Sequence, residues 1–186
     1  IGFSILMATV NLLPNADISN NFTISTGSDA YAVMDDDHTG TIASDSSYLS
    51  ATAVGKKFSL GFQDFSASAS SIDAVQAVVK AGNNGRGASF TIGMTMVNGT
   101  SGNFYSAESS GSLAASASYR TATFTNRTTS DGSSAWTETD VNNLRMELQL
   151  TAHSGGTFRT TYCYYIITYT EAATPSDNSI FFGTNF

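Results

Sequence analysis

Apolar and polar residues alternate along much of this chain with the two-residue period of a β-strand, most clearly near its C-terminal end. Leu144, Met146, Leu148 and Leu150 fall on one face; Arg145, Glu147, Gln149 and Thr151 fall on the other. Such a strand has one face in a core and one in water. His153-Ser154-Gly155-Gly156 is turn material. A second strand follows, with Phe158, Tyr162, Tyr164 and Ile166 assigned to one face and Cys163, Tyr165, Ile167 and Tyr169 to the other. Its β-branched and aromatic residues suit a central sandwich strand. Ahead of the pair, Thr137 is placed to cap a helix, and Asp140, three residues on, to reach back as in a capping box. The helix over 137–143 is limited to about two turns, because strand alternation begins at Leu144.

The same reading applies upstream. Strands are expected at Phe22–Ile24, Ala30–Met34, Tyr48–Ala53, Lys56–Phe65, Ile72–Ala81, Phe90–Met96 and Tyr119–Asn126, with a weak one near Phe104. In the fourth of these, Phe58, Leu60 and Phe62 alternate with polar neighbours; in the fifth, Val75, Ala77 and Val79 share a face. Gly82-Asn83-Asn84-Gly85-Arg86-Gly87 reads as a hairpin loop, since Asn and Gly accept positive φ. Eight to ten strands at these spacings predict an all-β fold, a two-sheet antiparallel β-sandwich of jelly-roll type, with one short helix. Three regions are expected: an N-terminal arm over 1–13, the sandwich over 14–170, and a C-terminal arm over 171–186 that ends in Ile180-Phe181-Phe182-Gly183-Thr184-Asn185-Phe186. The opening Ile1-Gly2-Phe3-Ser4-Ile5-Leu6 is readable as the end of a signal-peptide core or as an apolar arm that packs on a neighbour or a sheet edge, and the arm is preferred.

Composition narrows the class. With 186 residues the chain can bury a sizeable core. Only 12% of residues are charged, so Ser, Thr, Gly, Ala and Asn cover the outer strand faces. The net charge of −7, with eight scattered basic residues, offers no footprint for nucleic acid. No apolar run approaches the roughly 20 residues of a membrane-spanning helix. Cys163 is the only cysteine, which excludes an internal disulfide and points to a buried structural thiol.

Candidate chemistry is sparse. Asp35, Asp36 and Asp37, with Asp29 and Asp45 nearby in sequence, are the one carboxylate cluster that could feed oxygens to Ca²⁺. The loop lacks an EF-hand order of ligands, and adjacent carboxylates on an extended chain diverge, so a solvated turn is preferred and no metal or cofactor is assigned. A Ser/His/Asp set would have to use His38 or His153, both in expected loops, and no Gly-x-Ser-x-Gly elbow is present. Glutamates are few (Glu108, Glu138, Glu147 and Glu171), and Trp136 before the helix cap suits packing better than sugar stacking. Tyr105 and Tyr119 are the loop aromatics left for a glycan. No catalytic residues are assigned.

The Trp136-Thr137-Glu138-Thr139-Asp140-Val141-Asn142-Asn143-Leu144 turn, the alternating strand and the Tyr-rich strand together resemble the C-terminal half of jelly-roll domains in tailed-phage virion proteins. Met7-Ala8-Thr9-Val10-Asn11-Leu12-Leu13-Pro14-Asn15-Ala16-Asp17 is similar to the start of such proteins in phages of marine and freshwater bacteria, with Met7 where their initiator stands. The resemblance covers roughly 7–170 and carries no catalytic residues. It implies a virion structural protein: a capsid decoration or cement subunit on the capsid exterior, trimeric, with the major capsid protein as partner. Phe3, Ile5, Leu6, Ile180, Phe181, Phe182 and Phe186 are the residues expected to contact partners. Two alternatives stay open: a fibre adhesin that binds host-surface glycan, and an extracellular filament subunit that donates its N-terminal strand.

Overall fold

A computed structural model describes residues 6–37, 39–84, 88–114, 116 and 118–173. In chain order the elements are β1 (Met7–Leu12), β2 (Pro14–Asn20), β3 (Thr23–Ile24), α1 (Ala30–Val33), β4 (Leu49–Ala51), β5 (Lys57–Phe62), β6 (Ala69–Asn83), β7 (Ser89–Asn98), β8 (Gly102–Asn103), β9 (Glu108–Ser109), β10 (Leu113–Ala114), β11 (Arg120–Thr123), α2 (Glu138–Asn142), β12 (Leu144–His153) and β13 (Phe158–Glu171), with a 3-10 turn over Ile42–Ser44. They form two antiparallel sheets. Sheet A runs β11-β6-β13-β4-β3, with β1 also on β13; sheet B runs β10-β7-β12-β5-β2, with β8 and β9 also on β7. This is the expected all-β two-sheet sandwich.

The centre is two long antiparallel pairs that fold over together. β13 pairs with β6 in sheet A, and β12 pairs with β7 in sheet B. The β6–β7 connection and the β12–β13 connection therefore both pass between sheets, at one corner. Side chains and backbone stitch that corner: Asn83 Nδ2 donates to Gly155 O at 2.8 Å, Thr157 N to Asn84 Oδ1 at 2.9 Å, and Ser154 N to Ser89 O at 3.0 Å. The Gly/Asn-rich stretch from Gly82 is thus a crossing and not a hairpin, because β6 and β7 take partners in different sheets. Residues 85–87 lie outside the described residues.

The alternation of β12 is borne out: Leu144, Met146, Leu148 and Leu150 are all buried. Phe158 is a correction. It is buried with Cys163, Tyr165 and Ile167, not on the face of Tyr162 and Tyr164. The β13–β6 register shifts between Thr160 and Tyr162, and the extra residue reverses the alternation, so Thr160 and Thr161 are both buried. Phe158 then packs edge-on against Phe22 and Phe90, at ring separations of 5.8 and 5.2 Å. Tyr165, fully buried, sends its hydroxyl across the core to Arg145 O in the opposite sheet at 3.1 Å.

The expected strand Ala30–Met34 is instead a helical turn, α1, over Ala30–Val33 with Met34 as its C-cap. Asp17 accepts from the N–H groups of Ala30 and Tyr31, both at 2.7 Å, and so satisfies the first turn from a distant strand. Ala30, Val33 and Met34 then turn into the core at helical spacing. The expected cap of α2 is present in full: Thr137 Oγ1 accepts from Asp140 N at 3.1 Å, and Asp140 Oδ2 accepts from Thr137 N at 3.0 Å.

Met7–Leu12, read as part of an arm, belongs to the sandwich. β1 pairs with β13 from Met7↔Thr170 to Leu12↔Tyr165. Ala8, Val10 and Leu12 face inward with Tyr169, Ile167 and Tyr165. The alternation was present in the sequence; the apolar residues before it hid its start.

Candidate functional site

Several charged side chains of the body are engaged locally. Asp37 forms a close ion pair with Lys80, and the Asp35 backbone makes an isolated antiparallel bridge to Tyr162 along β13. Asp45 is buried beside the 3-10 turn, where it accepts from Tyr119 Oη at 2.6 Å. Burial first, and then this bond, push the Tyr119 phenol well above its usual range. Asp29 precedes α1 and makes no side-chain cap bond. Within the acidic cluster of the sequence, the carboxylates of Asp37 and Asp45 thus go to different partners. Among the described residues, no three His, Cys, Asp or Glu side chains converge as metal ligands would. His38 lies outside the described residues; His153 ends β12.

Other polar residues tie loops to sheets. Glu108 accepts from Thr125 N at 2.8 Å and Oγ1 at 2.7 Å, and pairs with Arg127 at 2.9 Å. The Arg127 guanidinium lies 4.3 Å from the centre of the Tyr105 ring, whose hydroxyl is bound to Thr129 O. Asp131 closes the 131–134 turn by accepting from Ser134 N at 2.6 Å and Ser133 N at 2.9 Å, and these bonds hold its carboxyl well below the usual range. Trp136 is buried as expected, with Nε1 donating to Arg127 O at 2.8 Å and its ring 5.0 Å from Phe104. Beside it is a cleft of about 160 Å³ bordered by Phe65, Ile72 and Glu138. That is smaller than the roughly 300 Å³ at which small-molecule sites begin.

Two surfaces remain. On the outer face of sheet A, the half-buried rings of Tyr162 and Tyr164 stand 5.0 Å apart beside the Asp37–Lys80 pair. The other is the free edge of β1. Glu171 N donates to Leu6 O at 3.0 Å, which fixes the phase of the β1–β13 ladder. Ala8, Val10 and Leu12 direct their N–H and C=O groups toward β13, so those of Met7, Thr9 and Asn11 point away from it. No described strand lies on that side. Leu6 and Met7, at 57% and 63% exposure, stand at its start.

Of the expected partner-contact residues, Leu6 alone is described, and it is exposed at this edge. Phe3, Ile5, Ile180, Phe181, Phe182 and Phe186 lie outside the described residues. Sequence reading missed the edge itself, although Ala8, Val10 and Leu12 already marked a strand with no charge and no proline.

No family model matches the chain, and neither a curated protein nor a solved structure does.

Proposed function

We propose that this chain is a non-enzymatic virion structural protein of a tailed phage. In this reading it is a capsid decoration or cement subunit that associates with itself and with the major capsid protein through its apolar end segments. The sequence resemblance motivates the setting. The observation that carries the assembly reading is that Leu6 and Glu171 face each other across the β1–β13 ladder, 3.0 Å from O to N. Segments 1–5 and 174–186, which hold six of the seven apolar partner-contact residues, therefore join the body at one pole. Burial of a large apolar side chain is worth about 1.5–3 kcal/mol, so a few per subunit, repeated by symmetry, suffice to hold a body on a shell.

Deletion of 1–6 and, separately, of 174–186 tests this. Each truncated protein should keep its thermal transition and lose binding to shells of the major capsid protein encoded with it. Unchanged binding by both truncations refutes the reading.

One observation favours the adhesin alternative. Besides the loop tyrosines Tyr105 and Tyr119, sheet A carries two half-buried rings side by side, Tyr162 and Tyr164, 5.0 Å apart. A specific hit on a glycan array, abolished by Tyr162→Ala, would shift the assignment. For the filament alternative, Met7–Leu12 is already engaged in its own sheet, so a donated strand would have to come from residues before Leu6.

A further inference from the structure

The geometry points to β1 as a self-complementary docking edge: two copies of this chain pair β1 against β1 antiparallel about a two-fold axis at Thr9 and so join their A sheets into one. Self-association is all that this edge shares with the virion reading, and β1 would pair in the same way in a protein that meets no shell.

Three observations carry it. The first is the phase of the ladder. Met7, Thr9 and Asn11 present outward N–H and C=O groups at alternate positions, and no hydrogen bond from those groups to any described residue is formed. Such a row is a template for another strand. The second is the absence of the devices that guard the other long edge strand. β2 begins at Pro14, carries register shifts between Pro14 and Ala16 and between Asp17 and Ser19, and has α1 tied to it by Asp17. β1 has no bulge, proline or charged residue over its six positions. The third is the register that a two-fold at Thr9 imposes. Thr9 faces the partner's Thr9, and Met7 faces the partner's Asn11. All three outward positions become hydrogen-bonded pairs, so six backbone bonds form across the axis. On the inner face Ala8 meets the partner's Val10, and exposed Leu6 meets the partner's Leu12. No like charges oppose one another, and a Thr–Thr pair at the axis is among the favourable cross-strand pairs.

A second copy is the occupant to which this edge commits, because an uncharged strand whose outward row is centred on one threonine is its own complement. The symmetry differs from the trimer implied by the resemblance: an edge paired with itself closes as a dimer.

The test uses the full chain. Sedimentation equilibrium should show a monomer–dimer exchange, with twice 19.5 kDa as the heavier species. Thr9→Lys places two ammonium groups opposite each other at the axis and should weaken the dimer about tenfold or more. Its thermal transition should stay near wild type, since the Thr9 side chain is exposed. Asn20→Lys, on the guarded edge, should leave the mass unchanged. Cysteine substitutions read the register, because the native Cys163 is buried. Thr9→Cys should cross-link to itself under mild oxidation. Asn11→Cys should do so poorly alone and well when mixed with Met7→Cys. A monomer at every concentration overturns the proposal, as does a trimer indifferent to Thr9→Lys. Self-cross-linking by Asn11→Cys as fast as by Thr9→Cys overturns the register.

Discussion

β1 and β2 are consecutive in the chain, nearly equal in length, and each lies at the edge of a sheet, yet they are held in opposite ways. β1 is held by its side chains: Leu12 is buried, and Val10 and Ala8 pack on the core. Among the described residues its backbone has no partner on one side. β2 buries little beyond Pro14, and Ile18 is exposed. Its carboxylate at Asp17 ties down a helix, and two register shifts bend it. One edge gains its attachment from apolar burial and leaves its hydrogen bonds on offer. The other is guarded at the expense of burial. A sandwich intended only to remain monomeric has no reason to treat its two edges so differently, since an unguarded edge invites association.

The largest test of this contrast is Leu12→Ala. Removing a buried leucine side chain costs about 2–4 kcal/mol, and here the loss should be concentrated at β1. Urea unfolding measures the total. Amide exchange should speed up at Val10 and Leu12, whose N–H groups face β13, before it does so at β13 itself. A cost below about 1 kcal/mol would mean that β1 is held by its ladder and not by burial.

Asp17→Ala comes next, from the other side. It removes two charge-assisted bonds to the first turn of α1. The expected cost is about 1–2 kcal/mol, toward the lower end because the residue is exposed. Exchange at Ala30 and Tyr31 should rise most. Wild-type stability in this variant would show that α1 stays in place by the burial of Ala30, Val33 and Met34 alone.

Alkali tests the strand beneath β1. Burial raises the Cys163 thiol, with Asp35 adding to the effect, and burial raises the Tyr165 phenol; both residues are on β13. Each is neutral in the fold and ionises more readily when unfolded, so the folded state holds more protons between the two pKa values. The contribution of Cys163 is complete below its ordinary value of about 8.5 and is lost as pH rises from there; Tyr165 adds its share above about 10. Thermal unfolding from pH 7 to 10 should therefore show falling stability. Cys163→Ala should flatten the decline below pH 10. An unchanged slope in that variant would place the sensitivity elsewhere.

Much of this was legible before any coordinates. Leu144–Leu150 fixed a strand and its buried face because alternation needs only local residues, and Thr137 and Asp140 announced α2 for the same reason. What escaped was set by distant partners. Ala30–Met34 became a helix through a carboxylate thirteen residues earlier. Phe158 changed face through one irregular step against β6, which no period in β13 itself encodes. Gly82–Asn84 looked like a hairpin because turn residues do not say whether a chain stays in its sheet or leaves it. The free edge of β1 was the least legible, since an edge is defined by the strand that is missing.

The smallest effect separates an exposed apolar side chain from an open backbone. Ile18 on β2 and Met7 on β1 look alike by exposure, at 43% and 63%. If greasy residues at a sheet edge were what draws copies together, replacing either would weaken association. If the open ladder is responsible, Ile18→Ser should change stability by less than about 0.5 kcal/mol and leave the solution mass unchanged, because the bulges of β2 deny a second strand its register. Side-by-side sedimentation of Ile18→Ser and Thr9→Lys decides between them. Loss of the dimer in the first and its survival in the second would exchange the roles of the two edges: β2 would be the interface, and the bare backbone of β1 would be closed by something else.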